Sequence, residues 1–195
     1  MININKLILM SLARCIRRYC LKNSPNNICV KHHAIIVAIS TRKLSHKIIR
    51  YFPYSGGAKI LVKWFINKKI PFKVYECLNK SDLEKIIIDD NATVLWIFGH
   101  GQKNGVNLQK EFFKYSYFDI DVYRKHRKKE INQFHCNKDE GKSLTEILAD
   151  GNGIDWGYKY CFGICPKRDK KGERYSELNE NDINELLEKY DYSIL

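Results

Sequence analysis

What most constrains this chain is a regular alternation between its Ala34 and Phe98. "HHAIIVAIS" (His32 to Ser40) is a continuous run rich in β-branched residues, suited to a parallel strand covered on both faces. "AKILVKWFINKK" (Ala58 to Lys69) then repeats apolar residues at helical spacing, and Pro71 stops it. "FKVYECL" (Phe72 to Leu78) reads as a second strand. "SDLEKIIIDD" (Ser81 to Asp90) reads as a helix, with Ser81 as N-cap and Glu84 at the capping-box position. "TVLWIF" (Thr93 to Phe98) is the third strand. The order β-α-β-α-β with short connections predicts a parallel sheet, helices on its faces and right-handed crossovers. The fold class is therefore α/β, a three-layer α/β/α sandwich around a mainly parallel sheet.

In such sheets, ligands and reactive groups collect beyond the carboxyl ends of the strands. The third strand ends there in "GHG", which places His100 between Gly99 and Gly101. A tight turn with an exposed histidine is the plain reading, and a catalytic imidazole at the sheet edge is the sharper one. "EINQFHCN" (Glu130 to Asn137) alternates as a further strand and closes on Cys136. If its strand neighbours the third, the two side chains emerge at one edge. An imidazole beside a thiol favours the thiolate and later protonates a leaving amine, as nucleophilic acyl transfer requires. The Gly101 amide is then a candidate oxyanion donor, and the flanking glycines admit a peptide close to the backbone.

A buried strand closing in His-Gly, a variable loop, and a charged stretch entering a strand that ends in Gln-x-x-Cys or Gln-Ala-Cys resembles the caspase-like cysteine peptidases. The matching residues are "WIFGHG" and "RKKEINQFHCN", and the resemblance spans about Ala34 to Ile164. It implies a caspase-like architecture and hydrolysis of a peptide or protein substrate. It also implies Cys136 as nucleophile, His100 as general acid and base, and the backbone of Gly101 and Cys136 as oxyanion hole. Such a dyad calls for no cofactor and no metal. Where the family has a small residue before its cysteine, this chain has His135, which alternation turns to the face opposite Cys136, as a packed or solvent-facing side chain.

The rival class is a catalytically inactive binding module. The chain carries 34 Lys and Arg against 22 Asp and Glu, a net charge of +12, and such a field attracts nucleic acid or an acidic protein. The long segment Gln102 to Lys129 supplies the feature that nucleic acid would use. Phe112, Phe113, Tyr115, Tyr117 and Phe118 are candidates to stack on bases, with Arg124, Arg127, Lys128 and Lys129 for phosphates. Asp119 and Asp121 stand against it, and for a peptidase they would instead meet a basic substrate side chain. A segment of this length either serves function directly or carries small structure of its own.

Smaller candidates complete the reading. Cys161 and Cys165 in "CFGIC" are a rival nucleophile or half of a zinc site, with Cys29 and His32 as the nearest other ligands. Two buried strand thiols are the plainer account. "SGG" (Ser55 to Gly57) reads as a loop entering the first helix rather than a phosphate cradle. Residues 1–30 read as a basic amphipathic helix and linker, packed on its own domain or touching a membrane surface. Residues 31–195 form the α/β domain. Seven irregularly spaced cysteines, with no signal-like or membrane-spanning run, point to a reduced, cytoplasmic setting.

Overall fold

The computed structural model describes residues 15, 18–38, 53–109, 111–135, 140–153, 185, 187–188 and 190. Four strands form one sheet: β1 (His32–Ala38), β2 (Phe72–Cys77), β3 (Ala92–Phe98) and β7 (Glu130–Phe134). Their order is β2-β1-β3-β7, and all three pairings are parallel. The α/β sandwich with a parallel sheet expected from the alternation is therefore what the chain forms. Every residue of β3 is buried, as a central strand covered on both faces must be.

Strand alternation divides the core in two. Ala34, Ile36, Leu95, Ile97 and Ile131 face one side, where α2 (Lys80–Ile87) adds Leu83, Ile86 and Ile87 and α4 (Leu144–Leu148) adds Leu144, Ile147 and Leu148. Ile35, Val94, Trp96, Phe98 and Phe134 face the other, against Leu61, Val62 and Phe65 of α1 (Pro53–Lys68). Helical residues 18–22 join that second side, with Cys20 only 3% exposed and Tyr19 and Leu21 packed beside it. For these residues, packing on the domain is the observed arrangement. No helix among the described residues is long and apolar enough to cross a membrane.

Two helix starts differ from expectation. α1 begins at Pro53, so Ser55 to Gly57 lie in its first turns and not in a loop. Proline suits that first position, because its fixed φ is helical and its missing N–H needs no partner. α2 is capped by Asn79, not Ser81: Asn79 Oδ1 accepts from the Asp82 N–H at 3.1 Å, and the Asp82 carboxylate accepts from the N–H of Asn79 and Leu78 at 3.1 and 2.9 Å. Glu84 is thereby left to accept from Tyr117 and Tyr123, at 2.8 and 2.6 Å.

The long segment after β3 carries structure of its own. β4 (Gly101–Gln102), β5 (Gly105–Asn107) and β6 (Phe112–Lys114) form a small antiparallel sheet. A 3-10 turn (Tyr115–Phe118) and the short α3 (Asp121–Arg124) lead on toward β7.

Candidate active site

β3 and β7 are neighbours, paired from Val94–Glu130 to Phe98–Phe134. Each pair carries the same thirty-six-residue offset that separates His100 from Cys136. His100 stands half-buried two residues past the end of β3. On the β7 side the described chain reaches His135. Cys136 lies outside the described residues, as do Cys161 and Cys165.

Gly101 opens the β4–β5 hairpin. The His100 carbonyl accepts from the Asn107 N–H at 2.7 Å, so Gly101 and Val106 face each other as the pair without mutual hydrogen bonds. The Gly101 N–H therefore points away from β5, as an oxyanion donor's must. Glycine is required here by space. A Cβ at Gly101 would lie 2.5 Å from the Gly105 carbonyl oxygen and 3.0 Å from His135 Nδ1. Gly101→Ala should accordingly destabilise the chain by about 1–3 kcal/mol, the usual range for overpacking. Thermal unfolding of Gly101→Ala beside the wild type checks this, and an unchanged melting temperature contradicts it.

Behind Gly101 lies a buried polar group. His135 is 2% exposed, and its Nε2 lies 2.8 Å from the Tyr115 hydroxyl and 3.3 Å from Gln133 Nε2. Gln133 Oε1 accepts from the Leu144 and Thr145 N–H groups at 2.7 and 3.3 Å, at the start of α4. Lys103 in the β4–β5 turn reaches Glu146 of α4 at 3.1 Å. The hairpin, the end of β7 and α4 are thus joined by polar contacts. Of the two settings considered for His135, the packed one is observed. Tyr115, a candidate stacking aromatic on sequence alone, is instead a hydrogen-bond partner of His135. The signal in the sequence is Gln133 and His135 at alternate positions around Phe134, since buried polar side chains come with partners.

The aromatic-basic segment does not form the stacking surface expected of it. Phe113, Tyr115 and Phe118 are buried, because they cover the sheet beside α2 and α4. Lys128 is only 5% exposed. It donates to the Asp89 carbonyl at 2.8 Å, and burial pushes its ammonium down to about 8. Arg124 pairs with Asp119, which Lys142 also reaches at 3.0 Å, and Arg127 pairs with Asp150. Asp119 is thus already paired within the chain, and its carboxyl is held below the usual range by the Arg124 and Lys142 hydrogen bonds. His32 is buried, with Nδ1 at 3.0 Å from the Val30 carbonyl and Nε2 at 3.0 Å from the Tyr75 hydroxyl, so both ring nitrogens are engaged away from Cys29. Among the described residues no three His, Cys, Asp or Glu side chains are grouped to hold a metal.

The described cysteines separate into two kinds. Cys20 and Cys77 are buried, and desolvation pushes both thiols up to about 12, whereas Cys15 and Cys29 are exposed. No protein-family model matches this sequence, and no curated protein matches it.

Proposed function

We propose that the chain is a caspase-like cysteine peptidase in which Cys136 and His100 act as a dyad. One observation carries this reading: β3 and β7 are adjacent, parallel and paired at an offset of thirty-six. His100 follows Phe98 by two residues, and in the sequence Cys136 follows Phe134, the ladder partner of Phe98, by the same number. Phe98 and Phe134 face the same side of the sheet, stacked with ring centroids 4.9 Å apart, so the two strands end side by side.

The chemistry follows from those positions. The Cys136 thiolate attacks the peptide carbonyl carbon, and the carbonyl electron pair moves onto oxygen, within reach of the Gly101 N–H. Collapse of the tetrahedral species breaks the C–N bond, and the His100 imidazolium gives its proton to the leaving amine. Water, deprotonated by the now neutral His100, then hydrolyses the thioester and regenerates the thiol.

Hydrolysis of a mixed fluorogenic peptide library by the full chain tests the reading. Cys136→Ser is expected to remove turnover. His100→Ala should lower it by about 10²–10⁴-fold, the usual contribution of a positioned acid-base group. Both variants should keep the wild-type melting temperature within a few degrees. No cleavage by the wild-type chain, or equal cleavage by Cys136→Ser, contradicts the assignment.

A further inference from the structure

We propose that His135 is a positioning residue that holds the His100–Gly101 turn through one neutral tautomer, fixed by Gln133 and Tyr115. Its part in catalysis rests on the dyad reading above, while the tautomer and the contact rest on the described geometry alone.

The assignment begins at Gln133. Its Oε1 accepts from two backbone N–H groups of α4, which fixes which end of the amide is oxygen. The NH₂ end therefore lies 3.4 Å from the Lys103 carbonyl and 3.3 Å from His135 Nε2. An amide nitrogen only donates, so His135 Nε2 must offer its lone pair. The Tyr115 hydroxyl, 2.8 Å from the same nitrogen, is the nearer group to its single lone pair and is the main donor in the proposed tautomer. In the neutral ring the proton then sits on Nδ1. That edge is the one turned to the glycine turn, since a Cβ at Gly101 would lie 3.0 Å from Nδ1 and 3.1 Å from Cγ.

All three side chains are buried, with Tyr115 at 0% and Gln133 and His135 at 2% exposure. Buried polar groups at fixed spacing rigidify what they touch when each is satisfied. The chain just past β7, at His135, is thereby braced against the turn that follows β3 and carries His100 and Gly101. A small residue at position 135 would leave Tyr115 and Gln133 directed at an empty space.

Ring ¹⁵N shifts of the histidine-labelled full chain, with His135→Asn to assign the signal, test this directly. The wild type should show His135 with Nδ1 protonated and Nε2 bare at pH 7. Tyr115→Phe should bring in the other tautomer and move the Gly101 amide resonance with little change in melting temperature. It should also slow Cys136 alkylation about fivefold, the effect of losing one net hydrogen bond. His135→Asn, which can set an N–H at the δ position, should hold the Gly101 amide nearer its wild-type shift than His135→Leu does. A wild-type ring protonated on Nε2 overturns the proposal without reference to any variant's folding. So does a Gly101 amide unmoved by both Tyr115→Phe and His135→Leu. If tautomer and amide behave as stated while wild-type Cys136 reacts like any exposed thiol, the dyad fails and the bracing contact stands.

Discussion

Between pH 7 and pH 4 the folded chain is expected to lose about 3 kcal/mol of stability through His33 alone. His33 is fully buried on the α1 side of β1, with its ring centroid 4.6 Å from that of Phe65. Trp96 Nε1–H donates to its Nδ1 at 3.0 Å, which fixes that nitrogen as the acceptor. Desolvation is the main cause that brings its pKa down to about 3, and neighbouring His32 adds to it. Above pH 6.5 the ring is neutral folded or unfolded, so it has no linkage effect there. Below pH 6.5 the unfolded chain binds a proton that the folded ring does not. Stability then falls by somewhat more than about 1 kcal/mol per pH unit until the folded ring itself protonates near pH 3.

His32, lowered mainly by desolvation, acts in the same direction, so the effect of His33 must be read as a difference. His33→Phe leaves the Trp96 N–H without its acceptor and lowers stability at pH 7 by about 1–3 kcal/mol. It cannot take up the proton, so its deficit should shrink, and its stability should approach or pass that of the wild type by pH 4. Urea unfolding of both chains from pH 7 to pH 4 gives the answer. Parallel stability curves contradict the account.

The parallel sheet was legible because runs such as Ala34 to Ala38 and Val94 to Phe98 are apolar at every position, short and rich in β-branched and aromatic residues, as a strand covered on both faces requires. The pairing register was not, because nothing local to β3 or β7 records which residues meet across them. Helix caps show the same division. Asn79-x-x-Asp82 and Ser81-x-x-Glu84 are equally good starts on paper, and the choice agrees with a distant contact, Glu84 accepting from Tyr117 and Tyr123. The aromatic segment misled for a physical reason: rings that cover a sheet and rings that stack on bases have the same composition. Phe113, Tyr115 and Phe118 became core only because the chain folds back over α2 and α4. Lys128 was hidden likewise in a run of basic residues, although it alone among Arg127, Lys128 and Lys129 is buried. Of the candidate site, the place of His100 and Gly101 just past a buried strand was legible. The Gln133–His135–Tyr115 contacts join residues up to twenty apart in sequence and depend on the hairpin between β3 and β7.

The second large effect concerns Cys136, and relative alkylation rates on the folded chain measure it. An unperturbed thiol has a pKa of about 8.5, so near pH 6.5 about 1% of it is thiolate. Cys20 and Cys77 fall well below that, because burial raises their pKa and blocks the reagent. Cys15 and Cys29 are exposed and supply the internal reference. In the proposed dyad a protonated His100 would keep the Cys136 sulfur charged, and a thiolate fraction raised from about 1% toward one would permit a gain of about tenfold or more over an unperturbed thiol. Iodoacetamide labelling at pH 6.5, with each site followed by peptide mass spectrometry, should therefore mark Cys136 first. His100→Ala should bring its rate down to that of Cys15 and Cys29 and leave those two unchanged. A Cys136 that reacts no faster than Cys15 and Cys29 in the wild type, or as fast after His100→Ala as before it, contradicts the dyad.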